Sequence, residues 1–399
     1  MKKEERKVNA ILYIANGQKI CVRNIDDCTV KKVYFQDGVE YEAVNINEKD
    51  FFDEEEFWST CPDIIWDVDI VPILKKWNNI INFTLIVNCE RDMRQYSTDE
   101  GKYIENNTAT SIELRLMVEQ GERHLNIKRE LFWKGVVCKE KIIDFIGDEI
   151  VLIQNEYGFW RKRELVKIDP SFYEIILPAG RGGIYLHEAI GHCLEADLFL
   201  QGENVLGGKL GKKLTNNRNI SISDVCSTEN VVSYKFSDDG SCVKPVNLIE
   251  KGYLTGIMTD EFTAKSYGVA NTGNGRSADA YVRPIPRMRN TFMHNGSESV
   301  EDIIRSTRKG IVATEILGGN VIIQNGSFVF NVAHGLIVEN GNIIGITDAF
   351  LFNGNIIKSL DAINAIGNDL SFVPAMCSKK GQMVRVSYGQ PTIRIDKQR

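Results

Sequence analysis

No run of about 18 apolar residues occurs in this chain, and its start lacks the charged-then-apolar leader with a small-residue cleavage site, so neither a membrane span nor a secretory signal is expected. The nine cysteines are odd in number, scattered, and never spaced as CxxC, which suits a reducing cytoplasm rather than a disulfide framework. Excess basic charge is also missing. A net charge of −6 and a pI near 5.6 offer no basic face to nucleic acid, and the aromatic residues are not interleaved with basic clusters. Internal repeats and low-complexity linkers are absent. What remains is ordinary globular material, 43% hydrophobic and 26% charged over 399 residues, enough for a full core and more readily two domains than one.

Histidine is scarce too, at five residues, yet two of them bracket a glutamate in His187-Glu188-Ala189-Ile190-Gly191-His192. This is HExxxH. Two neutral imidazoles supply two metal ligands, and the carboxylate beside the first supplies a base to activate metal-bound water. The spacing poses a geometric problem. At 100° per residue an i,i+4 pair lies about 40° apart around a helix, whereas an i,i+5 pair lies about 140° apart. Both rings reach one ion only if the helix widens, as in a π-bulge, or ends near Gly191. The plain alternative is a buried helix with two hydrogen-bonded histidines. Glu195, three residues after His192, falls on the same side of a continuing helix. There it would orient a ring N–H or sit exposed.

Glycine divides the chain: seven of the 33 precede Leu177. Downstream, Asn325-Gly326, Asn340-Gly341 and Asn353-Gly354 sit between apolar, β-prone runs and read as turns of an antiparallel meander. Upstream, Val8–Ile14 and Lys19–Arg23 flank Asn16-Gly17 as a hairpin, and Phe83–Val87 and Ser111–Val118 read as strands. Helices are expected around Asp53–Trp58, whose acidic start suits a helix N-terminus, around Ile70–Ile80 and around Lys139–Ile146. The expected fold is α+β. A mixed α/β N-terminal domain covers 1–170, and an antiparallel β-rich domain carrying the HExxxH helix covers 171–399. The boundary lies between Val166 and Pro178.

The approach Leu177-Pro178-Ala179-Gly180-Arg181-Gly182-Gly183, the HExxxH stretch, and Leu194-Glu195-Ala196-Asp197 together resemble the TldD/TldE (TldD/PmbA) metalloprotease family. The resemblance continues through Asn271-Thr272-Gly273-Asn274-Gly275-Arg276 and Arg287-Met288-Arg289-Asn290-Thr291-Phe292-Met293. It returns in Ile366-Gly367-Asn368-Asp369-Leu370, Cys377-Ser378-Lys379-Lys380-Gly381-Gln382 and Gly389-Gln390-Pro391-Thr392. It spans Leu177 to Ile395 and is faint upstream, where the N-terminal domain looks shortened against the family. The resemblance implies a third ligand at Cys377, although Ser378 stands where the family usually has glycine. A His2Cys set suits Zn²⁺, with Fe²⁺ also accommodated. It further implies hydrolysis of small or unfolded peptides, with Glu188 as general base. The expected assembly is a homodimer, or a heterodimer with a TldE-like chain.

Arg283, Arg287 and Arg289 alternate with Pro284, Pro286 and Met288. Period-2 geometry places them on one face, as holders of a peptide carboxylate or as a solvated, ion-paired face. The Asn271–Arg276 loop lacks the Lys-Ser/Thr of a phosphate loop. His124, His294 and His334 have no partner spacing and receive no role. Two rivals stand beside the peptidase: a non-catalytic partner subunit, and a structural-zinc or peptide-binding module.

Overall fold

The computed structural model describes residues 2–15, 18–35, 38–44, 70–74, 76–98, 101–120, 123–135, 137–161, 165–202, 204–226, 232–278 and 282–397. Two compact units emerge: Met1–Lys162 with Asp279–Arg283, and Arg163–Ala278 with Pro284–Arg399. The division thus falls a few residues before the expected 170/171, and a short later segment joins the first unit.

The first unit is one antiparallel six-stranded sheet with a long helix. Its strands are β1 (Lys2–Ala15), β2 (Gln18–Phe35), β3 (Gly38–Val44), β4 (Ile80–Thr98), β5 (Gly101–Gln120) and β6 (Arg123–Lys134), in the order β3-β2-β1-β4-β5-β6. The expected N-terminal hairpin is present, with Ala15 opposite Gln18 across a two-residue connection. Helix α1 is only Val71–Leu74. The expected helix over Ile70–Ile80 is corrected: the chain turns after Leu74, and the β-branched run from Ile80 enters β4. Helix α2 (Lys139–Arg161) is longer than expected. It buries Ile142, Ile146, Ile150 and Ile153, spaced three and four apart on one face, and packs on β5. Each such burial is worth about 1.5–3 kcal/mol. The expected helix at Asp53–Trp58 lies outside the described residues.

The second unit holds two large sheets. One runs β11 (Tyr253–Leu254), β10 (Val246–Glu250), β9 (Ile222–Val225), β14 (Asn290–Met293), β21 (Gln382–Gln390), β20 (Ser371–Lys379). The other runs β19 (Ile363–Ile366), β22 (Ile393–Ile395), β8 (Glu174–Leu177), β15 (Lys309–Ile322), β16 (Ser327–Glu339), β17 (Asn342–Thr347), β7 (Leu165–Val166), with β18 (Phe350–Asn355) also pairing β16. Most pairings are antiparallel; β14–β21, β15–β8 and β17–β7 are parallel. Asn340 (φ 48°) and Gly341 (φ 77°) form the two-residue connection between β16 and β17, the positive pair a type I′ turn requires. Asn353-Gly354, expected as a turn, instead lies within β18, paired to Val329 and Phe328.

The HExxxH segment packs against β14 and β21 of the first sheet and β15 of the second. Leu186, Ala189 and Ile190 are completely buried in the core these sheets share. These side chains anchor the segment against the two sheets, while Glu188 stays half-buried.

Candidate metal centre

Leu186–Gly191 is a π-helix, followed directly by a 3₁₀ turn over His192–Leu194. The His192 N–H bonds to the His187 carbonyl, five residues back. That widened turn removes the 140° conflict, because residues five apart now stack. The two imidazole centroids lie 4.9 Å apart. Gly191 permits it: a Cβ there would overlap Met288 Sδ, and Met288 is fully buried.

The third group arrives from far away in sequence. Cys377 lies on β20, and its Sγ is 3.3 Å from His187 Nε2 and 3.4 Å from His192 Nε2. The three candidate ligand atoms all lie within 4.8 Å of one another. Bonds of about 2.0–2.1 Å to nitrogen and 2.3 Å to sulfur at tetrahedral angles put neighbouring donors about 3.5 Å apart. The observed separations match, so the residues fit a small tetrahedral cation such as zinc. His187 Nδ1 is buried with no hydrogen-bond partner among the described residues, and Nε2 is the ring nitrogen that faces Cys377.

Electrostatics favour a donor set. Burial pushes the Cys377 thiol up, but the two imidazoles reverse this and pull it down to about 5, giving a thiolate at neutral pH. Burial also lowers His192. The Glu195 carboxylate, together with Cys377, overrides this and holds the ring at about 10 without an ion. A cation must displace that proton to bind. Cys193, next in sequence to His192, goes the other way: burial and then Glu195 push its thiol up to about 12, which leaves it a poor ligand. Glu188 is half-buried, adjacent to His187, and makes no hydrogen bond or ion pair among the described residues.

Around these groups sits a buried ionic network. Glu195, fully buried, lies 2.9 Å from His192 Nδ1 through Oε2; facing a carboxylate, the ring nitrogen is the donor. Lys379 Nζ lies 2.9 Å from the same oxygen and 2.6 Å from Asp197 Oδ1, and it donates to the Pro286 carbonyl. Burial alone would raise the Glu195 carboxyl, yet Lys379, His192 and Arg287 hold it far below the usual carboxylate range.

Arg287 and Arg289 require a correction: they present no face to a peptide. Both are fully buried. Arg287 donates to the Cys377 carbonyl at 2.6 Å and the Gln382 carbonyl at 3.0 Å, and Arg289 pairs with Asp224 at 2.6 Å. The segment they occupy runs through the interior, with only Ile285–Pro286 forming a strand (β13) against Gly275–Arg276 (β12). Arg283 is exposed and belongs to the other compact unit. The Asn271–Arg276 loop braces the same interior, since Asn274 Nδ2 donates to Asp224 and to the Arg287 carbonyl. Sequence reasoning gave no role to Lys379 and Asp197, whose signal was the acids that follow His192 and the lysines that follow Cys377.

A family model described as the PmbA/TldA metallopeptidase C-terminal domain matches residues 170–399. The chain is 34% identical over 226 residues to the metalloprotease TldD homolog of Buchnera aphidicola, covering 56% of this chain and 47% of that protein. It is 29% identical over 309 residues to the zinc metalloprotease TldD homolog of Saccharolobus solfataricus, covering 76% and 67%. The chain spans about half the length of the first of these relatives. The fold matches the crystal structure of TldE from Thermococcus kodakarensis with a TM-score of 0.78 at 16% identity, over 99% of this chain and 95% of that one. Among the described residues no helix is long and apolar enough to cross a membrane. With the family model covering more than half of the sequence, the chain belongs to the PmbA/TldD (TldD/TldE) metallopeptidase family.

Proposed function

We propose that this chain is a metal-dependent peptidase acting on small or unfolded peptides in a reducing cytoplasm, with zinc, or alternatively iron, held by His187, His192 and Cys377. The observation that carries this reading is the convergence of two imidazole nitrogens and a thiolate, from positions 190 residues apart, at ligand spacing. A zinc ion there would supply a Lewis acid for the scissile carbonyl and lower the pKa of water. Glu188, beside a donor and without a competing partner among the described residues, would take a proton from the attacking water and pass it to the leaving amine.

Strand addition is the proposed mode of substrate binding. Cys377 lies on β20, whose one strand partner among the described residues is β21. An extended peptide added along the other edge would lie beside the donor set, held by backbone hydrogen bonds with little side-chain selectivity. The proposed assembly is a dimer, of like chains or with a TldE-like partner.

Replacing Glu188 with Gln keeps shape and donors. The variant should load zinc as the wild type does and lose peptide turnover by at least ~10²-fold, followed by mass spectrometry of products from a mixed peptide pool. Undiminished turnover would sink the hydrolytic mechanism. Zinc-loaded wild type that yields no products would point instead to a non-catalytic, metal-containing peptide-binding or partner subunit.

A further inference from the structure

The two elements that carry the donors are joined through one carboxylate. Glu195 Oε2 meets the far nitrogen of His192 at 2.9 Å and the Lys379 ammonium at 2.9 Å. Lys379 sits two residues beyond Cys377 on β20. Glu195 Oε1 accepts from the Met288 N–H at 3.2 Å and faces Arg287 Nε at 3.9 Å. Arg287 in turn grips the Cys377 carbonyl at 2.6 Å. Glu195 is fully buried, Arg287 likewise, and Lys379 nearly so at 7%. Such groups stay charged in an interior only when paired.

We infer that Glu195 is the positioning residue that assembles this donor set, fixing His192 directly and Cys377 through Lys379 and Arg287. This rests on the metal-site reading above and deepens it. Two consequences separate it from ordinary structural support. First, the His192 ring is held with Nδ1 as donor, so that Nε2 alone faces Cys377. Second, Glu195 is the counter-charge that lets two buried cations stand beside a site meant for a third. Remove the carboxylate's charge and Arg287 loses the counter-charge facing it while Lys379 keeps only Asp197, so both repel the incoming ion more strongly. Remove Lys379 as well, and its share of that repulsion goes. The two residues therefore act as a unit, and their effects on metal affinity should not add.

The test uses metal-stripped full-length protein titrated with Co²⁺, which reports thiolate and imidazole ligation through its absorption spectrum without any turnover. Glu195→Gln should weaken Co²⁺ binding by about 10- to 100-fold, the range for lost partners of metal-bound histidine. The double variant Glu195→Gln/Lys379→Met should bind more tightly than Glu195→Gln alone. Glu195→Asp keeps the charge while withdrawing the carboxylate by one methylene. It should fold even where Glu195→Gln fails, bind Co²⁺, and show a shifted ligand-field spectrum. Wild-type affinity and spectrum in Glu195→Gln would overturn the inference, as would an unshifted spectrum in Glu195→Asp or a double variant weaker than the single one. If the wild type itself shows no thiolate–Co²⁺ band, the metal-site reading fails, and this inference with it.

Discussion

The two units differ in where most of their ion pairs sit, although the first also buries Arg129, 3.0 Å from Glu149. On the sheet of the first, Glu113, Arg115, Lys128 and Glu130 form ion pairs at the surface, with Arg115 61% and Lys128 45% exposed. In the second, Glu195, Arg287, Asp224 and Arg289 are all completely buried. Exposed pairs trade water for each other at nearly equal free energy, about 0–1 kcal/mol. Buried pairs gain little over an apolar core, but losing one partner strands a charge at a cost of about 3–5 kcal/mol. In the second unit, stability and site geometry are therefore coupled through these buried pairs. The surface pairs of the first can drift in charge with little penalty, whereas the second has tied its buried pairs to its site.

The largest expected effect follows directly. Arg289→Ala strands Asp224 among Asn274, Thr291 and the backbone N–H of residue 289, which satisfy its oxygens without neutralising it. Destabilisation of about 3–5 kcal/mol is expected by denaturant titration. A loss below about 1 kcal/mol would mean the buried pair behaves like those on the surface.

Next comes the π-turn. Gly191→Ala forces a methyl group into Met288, in a place where neither side has room. Overpacking should cost about 1–3 kcal/mol, and retained zinc per chain should fall because His192 is displaced. Normal zinc content in a destabilised protein would show that the turn can shift without carrying its ligand along.

Third is the pair of cysteines. After dialysis, Cys377→Ser should retain much less zinc per chain than wild type, while Cys193→Ser, whose thiol faces the core rather than the donors, should retain it. The reverse pattern would assign the third ligand to the other cysteine. Retention in both would move the search to Glu195.

The smallest effect belongs to the first unit. Arg115→Ala should change stability by less than about 1 kcal/mol and leave zinc content untouched. A larger loss would dissolve the contrast between the units.

These contrasts also explain which features are legible in the sequence. HExxxH is, together with its demand for a widened helix, because both the donors and the geometric conflict lie within six residues. Cys377 is legible only through family resemblance, since no local pattern links it to His187. The type I′ turn at Asn340-Gly341 follows from its dipeptide. Asn353-Gly354 has the same dipeptide, but there the pairing of β18 with β16 overrides local preference. The arginines mislead for a related reason. Period-2 spacing says which side chains share a face, not whether that face meets water. Asp224 and Glu195, which neutralise them, lie 65 and 92 residues upstream of Arg289 and Arg287. Long-range neutralisation leaves no local mark.

The separation of His187 from Cys377 also has a consequence in time. The 190-residue separation takes on the order of ten to forty seconds to synthesise at roughly 5–20 residues per second. Throughout that interval the emerging chain owns two imidazoles and no thiolate from β20. At the proposed site, an ion met early would find two donors rather than three. The proposed three-donor set is therefore complete only once the cysteine strand has joined its sheet, in a folded protein rather than a nascent one.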